Sequence, residues 1–264
     1  MKWDDIHSLL FVPAHKKRLE KVRTLHADAY IIDLEDAIKD SEKDRSREEV
    51  REFLLAGVEA NILLRINLNE LDKEIAFFEA LSSINCIVIP KAESADQIDI
   101  IHRSFPEKDI LALIETPTGM INLREILSTG MVSAIGFGAE DYCARTGTEK
   151  KKEYLIPLQS RLVMYGNAFN VPVYDMVNAE YKDTEKYCDY VRTAKAMGFS
   201  GKMAIHPDQI DVINREFRRY DAETLKSIVR KYEAGTDGFV IIDGEIYEKP
   251  HIDQINKLLG NQNY

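Results

Sequence analysis

Eight short apolar runs, rich in β-branched residues, recur along the chain and leave few folds open to it. They are HSLLFVPA from His7, AYIIDLEDA from Ala29, NILLRIN from Asn61, CIVIPKA from Cys86, ILALIET from Ile110, AIGFGAED from Ala134, VPVYDMV from Val171 and GKMAIHP from Gly201. Each run is continuous rather than alternating, the pattern of a parallel strand covered on both faces. Their starting points lie ~20 to 40 residues apart, enough for the crossover helix that parallel strands need. Helix signals fall in the gaps. Ser41 with Asp44 makes a capping-box pattern ahead of Val50, Phe53, Leu54 and Val58, and Ser94 with Gln97 repeats it ahead of Ile98 and Ile101. Asp208 is placed to cap a helix carrying Ile210 and Ile213. Eight such units predict an α/β fold, a (β/α)8 TIM barrel, with an open doubly wound sheet as the alternative.

The barrel is expected over residues 1–218, and the pattern changes after it. Residues 219–264 read as a helix from Ala222 to Gly235, a hairpin turning at Asp243-Gly244 and a final helix in HIDQINKLL. This C-terminal extension is expected to be either a cap or a mobile lid.

Charge and composition then exclude several functions. The 264 residues include 45 acidic and 35 basic side chains, a formal charge of −10. A surface that negative argues against nucleic acid as a partner. No apolar run approaches the ~20 residues that span a membrane, and the acidic start MKWDDIHSLLFVP is unlike a secretory signal. Cys86, Cys143 and Cys188 form no CxxC pair and read as reduced thiols of a cytoplasmic protein.

The strand ends carry charge almost throughout: Asp33, Glu35 and Asp36 on the second, Arg65 on the third, Lys91 on the fourth and Glu115 on the fifth. Glu140 and Asp141 follow on the sixth, Asp175 on the seventh and His206 on the eighth. A barrel gathers these ends into one mouth. Two carboxylates ~4 Å apart repel by roughly 4 kcal/mol at an effective dielectric of 20, so the cluster calls for a cation, protons or basic partners. Oxygen donors with one histidine and no cysteine point to a hard ion such as Mg2+, with Mn2+ not distinguished. Glu115 and Asp141 are the natural direct ligands, with Glu35 and Asp36 across the mouth to hold metal-bound water. Arg65 reads either as a structural ion pair or as an electrophile that steadies an oxyanion. Lys91 reads as an ion-pair partner or, less readily, as a Schiff-base lysine. His206 is either a loop histidine held by hydrogen bonds or a mouth residue. Gly136 and Gly138 of GFGAED lack the third glycine of a dinucleotide fingerprint and suggest a tight turn beneath the metal site. Lys16-Lys17-Arg18 and Lys150-Lys151-Lys152 are either solvated loops or a basic rim for phosphates.

These segments together resemble a known family. SLLFVPAHKKRLEK, YIIDLEDAIKDSEKDRSR, LLRIN, IVIPKAES, LALIETPTGMINLREI, GFGAEDY and GFSGKMAIHPDQI, in this order, are similar to the citrate lyase beta-subunit-like family of the HpcH/HpaI aldolase superfamily, which includes malyl-CoA and citramalyl-CoA lyases. The resemblance implies a Mg2+-dependent barrel, usually a homotrimer, that makes or breaks a carbon–carbon bond in a 3-hydroxyacyl-CoA from a 2-oxo acid and an acyl-CoA. It implies metal ligation by Glu115 and Asp141, Arg65 near the reacting carbonyls, and Glu35 with Asp36 ordering water on the metal. It places Lys16, Lys17 and Arg18 at the nucleotide end of CoA, although the family's arginine-proline is here Lys16-Lys17. Its C-terminal G-x-x-x-D-x-P segment, whose aspartate serves a neighbouring subunit as acid or base, corresponds to GEIYEKP with Glu248 in the aspartate's place. Two further expectations stay open: an aldolase acting on a free 2-oxo acid without CoA, and a partner-dependent subunit of a citrate lyase complex.

Overall fold

The computed structural model describes residues 1–218 and 222–260. The chain divides into two compact units, Met1–Phe217 and Arg218–Tyr264. The expected boundary after residue 218 runs into residues 219–221, which lie outside the described residues.

In the first unit eight strands close into a barrel. They are β1 (Ser8–Pro13), β2 (Ala29–Asp33), β3 (Ile62–Arg65), β4 (Cys86–Ile89), β5 (Asp109–Ile114), β6 (Ala134–Phe137), β7 (Val173–Asp175) and β8 (Gly201–Ala204). Every neighbouring pair is parallel, and β8 returns to β1, so the open-sheet alternative is excluded. Alternate residues of a strand face opposite sides. Leu9, Ile31, Leu63, Val88, Leu111, Leu113, Tyr174 and Met203 pack together as the barrel's filling. Their neighbours Leu10, Tyr30, Ile32, Leu64, Ile87, Ile110 and Ile135 pack outward, with Val50, Phe53, Ile98 and Ile126 of the surrounding helices. Burying both faces is what requires each run to be apolar throughout, since each fully buried Leu or Ile contributes roughly 1.5–3 kcal/mol.

The helix caps only partly follow expectation. Ser94 and Gln97 form the full capping box of the helix Ala95–Ser104. Ser41 does not cap: a 3-10 turn, Asp40–Glu42, absorbs it, and the helix Lys43–Leu55 starts behind Glu42 without a side-chain cap. Asp208 is the first residue of the helix Asp208–Arg218, and its amide donates to Nδ1 of His206.

The second unit consists of a helix, Ala222–Ala234, the hairpin strands β9 (Phe239–Ile242) and β10 (Glu245–Glu248), and a helix, Lys249–Gly260. Asp243 and Gly244 both have positive φ, 51° and 86°, as a two-residue hairpin turn with right-handed twist requires. Ile242 and Tyr247 pack on Ile228, Val229, Ile252 and Ile255. The opposite face pairs Ile241 with Ile246 and Phe239 with Glu248. All four of those side chains are exposed.

Candidate active site

Strand parity sends Asp33, Arg65 and Glu115 inward at the carboxyl ends of β2, β3 and β5. Asp33 and Arg65 are register partners, and both are buried. The guanidinium grips the carboxylate at both oxygens, Nε to Oδ1 at 2.8 Å and Nη2 to Oδ2 at 2.6 Å. Nη1 lies 3.2 Å from Oε2 of Glu35, and the whole group sits over the Phe11 ring. Burial works against the guanidinium, but the bond to Asp33 and the charges of Glu35 and Glu115 outweigh it and hold its pKa above the ordinary value. Arg65 is therefore a fixed cation with protons left over for a ligand.

Glu115 is only 2% exposed. Its Oε1 accepts the amide of Lys91 at 2.7 Å, and Oε2 faces the backbone of Gly138. A Cβ at Gly138 would stand 2.3 Å from that oxygen. This glycine serves close approach, and its backbone, with φ of −92° and ψ of 77°, lies near the inverse γ-turn rather than in the left-handed region. At Gly136 a Cβ would meet only the ends of the Leu113 and Met203 side chains, the nearest at 2.8 Å. Burial, and then the charge of Asp141, push the Glu115 carboxyl up to about 8, against the pull of Arg65. Lys91 forms an ion pair, its Nζ 2.6 Å from Oε1 of Glu35 and 3.7 Å from both Asp36 and Asp141. Burial also raises the pKa of Glu35, opposed by Arg65 and Lys91.

These groups surround a cavity of about 320 Å³ whose wall includes Phe11, Asp36, Arg65, Glu115, Asp141 and Met203. Asp33, Glu35, Asp36, Glu115 and Asp141 outnumber Arg65 and Lys91, so the cluster is short of positive charge. Oε2 of Glu35 is buried without a hydrogen bond and faces Arg65 in the ion pair at 3.2 Å. Among the described residues no three His, Cys, Asp or Glu side chains are grouped tightly enough to hold a metal by themselves. Mg2+ keeps several waters and takes only one or two protein carboxylates, so Glu115 and Asp141 with water fit it.

Other charged strand ends do not join the site. Asp175 points out of the barrel, where its register partner Lys202 and Gln159 hold it. Glu140 is the exception: it lines the cavity beside Asp141, although its side chain is exposed and paired with Lys150. His206 stacks on Tyr181. Lys16, Lys17 and Arg18 open a short exposed helix after β1, at the mouth end but outside the cavity wall. In the other basic cluster Lys151 pairs with Glu149, and Lys152 reaches Thr193. Glu248 belongs to the second unit. Sequence reasoning missed Asp33 as the clamp on Arg65, and the apolar wall of Phe11, Leu113, Val177, Met203 and Ile205. Period-two parity held the signal for the inward direction of Asp33 and of Leu113 and Met203, whereas the pairing of Asp33 with Arg65 comes from the register of β2 on β3.

Comparison with known proteins adds four likenesses. Residues 7–207 match the family described as HpcH/HpaI aldolase/citrate lyase. A (3S)-malyl-CoA thioesterase of Cereibacter sphaeroides is 31% identical over 93% of this chain and 90% of its own. The mitochondrial citramalyl-CoA lyase of Mus musculus is 26% identical over 96% of this chain and 84% of its own. Among solved structures, the citrate lyase beta subunit of Mycobacterium tuberculosis complexed with oxaloacetate and magnesium superimposes with a TM-score of 0.72 at 27% identity, covering 83% of this chain and all of that one.

Proposed function

The chain belongs to the HpcH/HpaI aldolase/citrate lyase family and is an enzyme of lyase type, and from that premise we propose that it cleaves or forms the carbon–carbon bond of a 3-hydroxyacyl-CoA. Malyl-CoA and citramalyl-CoA are the substrates in view, exchanging with acetyl-CoA and glyoxylate or pyruvate. The observation that carries this reading is the convergence of Arg65, Glu115 and Asp141 on one small cavity. Its volume lies at the low end of the ~300–1,000 Å³ usual for ligand pockets. That suits a 2-oxo acid of a few carbons and leaves the nucleotide of CoA outside, where Lys16, Lys17 and Arg18 are exposed to meet its phosphates.

Glu115 and Asp141 would hold Mg2+ or Mn2+, which when bound supplies Lewis-acid polarisation of a 2-oxo acid's oxygens. Glu35 and Asp36 order water beside it. In the cleavage direction the hydroxyl gives up its proton to the water held by Glu35 and Asp36, its oxygen becomes the carbonyl of the 2-oxo acid, and the carbon–carbon electron pair passes to the thioester as an enolate. The terminal carbon then takes a proton. Arg65, locked by Asp33, faces the enolate oxygen, whose charge appears only as the bond breaks, so its contribution falls mainly on rate. Glu248 of a neighbouring subunit exchanges the proton at the acetyl carbon. In support, Glu248 shares its hairpin face with exposed Phe239, Ile241 and Ile246. A second copy that covers this apolar face brings the carboxylate along, and a homotrimer serves every mouth in that way.

The test is an assay over a small panel of acyl-CoAs, with and without chelator, with products identified. Acetyl-CoA plus glyoxylate or pyruvate, lost on chelation, is the expected result. The likeness to a malyl-CoA thioesterase favours a second reading, hydrolysis of the thioester. Malate with free CoA and no glyoxylate would overturn the lyase assignment in its favour.

A further inference from the structure

Lys91 lies two residues beyond β4 and has φ of 48°, a left-handed backbone that side chains with a Cβ rarely adopt. Strain of this kind persists where the surroundings over-determine it, and it gathers at functional sites. Here it lets one residue address the carboxylate cluster twice. The amide donates to Oε1 of Glu115 at 2.7 Å. The ammonium donates to Glu35 at 2.6 Å and stands 3.7 Å from Asp36 and from Asp141. Arg65, the other cation here, is already gripped by Asp33 at both oxygens. The Lys91 ammonium is thus the positive charge nearest to Asp141 that the ion pairs record.

We propose that Lys91 is a positioning residue and a built-in competitor for the divalent ion: its ammonium offsets part of the charge of Glu35, Asp36 and Asp141 while the metal is absent and weakens metal binding when it arrives. The inference rests on the reading of Glu115 and Asp141 as metal ligands. A divalent ion on Asp141 comes within a few ångströms of the ammonium, and charges of +1 and +2 that close repel even through water. The amide half of Lys91 acts the other way, holding Glu115 so that Oε2 stays turned toward Gly138.

The experiment is calorimetric titration of Mn2+ into the metal-free full-length protein, for the wild type, K91M, K91G and K91R. K91G removes the ammonium, keeps the amide and relieves the left-handed strain, so it remains informative if K91M does not fold. The dissociation constant for Mn2+ is expected to fall roughly tenfold in K91M and K91G and to stay near the wild-type value in K91R. In chelator both ammonium-free variants are expected to melt lower than K91R and to gain more on adding Mn2+. Wild-type binding with unchanged or weaker binding in K91M and K91G overturns the competitor role. No Mn2+ binding by the wild type overturns the ligand assignment itself, and this inference with it.

Discussion

Asp33 and Arg65 face each other across β2 and β3, and that register decides what Arg65 can do. Removing one partner of a buried ion pair typically costs about 3–5 kcal/mol. Asp33→Asn keeps the shape and removes the charge, so urea unfolding should show a loss at the low end of that range, about 3 kcal/mol. Its kcat should fall while KM changes little, because the freed guanidinium loses aim rather than reach. Equal stability and kcat would remove Asp33 from the site. A second buried carboxylate, Glu74, accepts two bonds from the fully buried Arg47, yet its Oε2 has no partner. Burial pushes it up to about 7, against the hold of Arg47. A carboxyl raised in the folded state adds stability below its ordinary pKa, and that stability is lost as pH rises through the folded value. Between pH 5 and 8 the wild type should therefore lose more unfolding free energy than Glu74→Gln, and parallel losses would refute this. The inward acids and Arg65 are legible in the sequence as strand-end charges. Their partners are not, because Asp33–Arg65 and Asp175–Lys202 are cross-strand neighbours that only the barrel's register brings together. Parity then splits the two pairs, one into the mouth and one behind it.

At the level of elements, continuous apolar runs reveal eight strands because a strand buried on both faces tolerates few polar residues. Helix starts are less legible. Ser94 has its glutamine three residues on and forms the box, whereas Ser41 lies in a 3-10 turn that nothing in its own spacing announces. The hairpin at Asp243-Gly244 is readable because its turn needs two residues of positive φ. The loop after β6 has one stringent requirement, the bare backbone of Gly138 against Glu115. Gly138→Ala forces either the loop or the Glu115 side chain aside, at a cost of about 1–3 kcal/mol for overpacking. Metal affinity should fall with it, measured by Mn2+ titration, while Gly130→Ala, far from any neighbour, should leave affinity unchanged. Unaltered affinity in Gly138→Ala would mean that Oε2 of Glu115 is not a metal-facing atom.

For the whole molecule, the proposed use of Glu248 makes activity a property of two chains. Glu115→Gln and Glu248→Gln should each be nearly inactive alone. When the two are unfolded, mixed in equal amounts and refolded together, roughly a quarter of the mouths should combine an intact Glu115 with a neighbour's intact Glu248. Recovery of activity on mixing supports the shared site, and its absence places both groups in one chain or removes Glu248 from the chemistry. The closed barrel also seals Cys86 in its interior, with no solvent exposure, and burial keeps that thiol protonated well beyond its ordinary pKa. A maleimide can then alkylate it only during moments when the staves part. The slowest phase of labelling, after Cys143 and Cys188 have reacted, becomes a clock that counts those openings in an otherwise intact population.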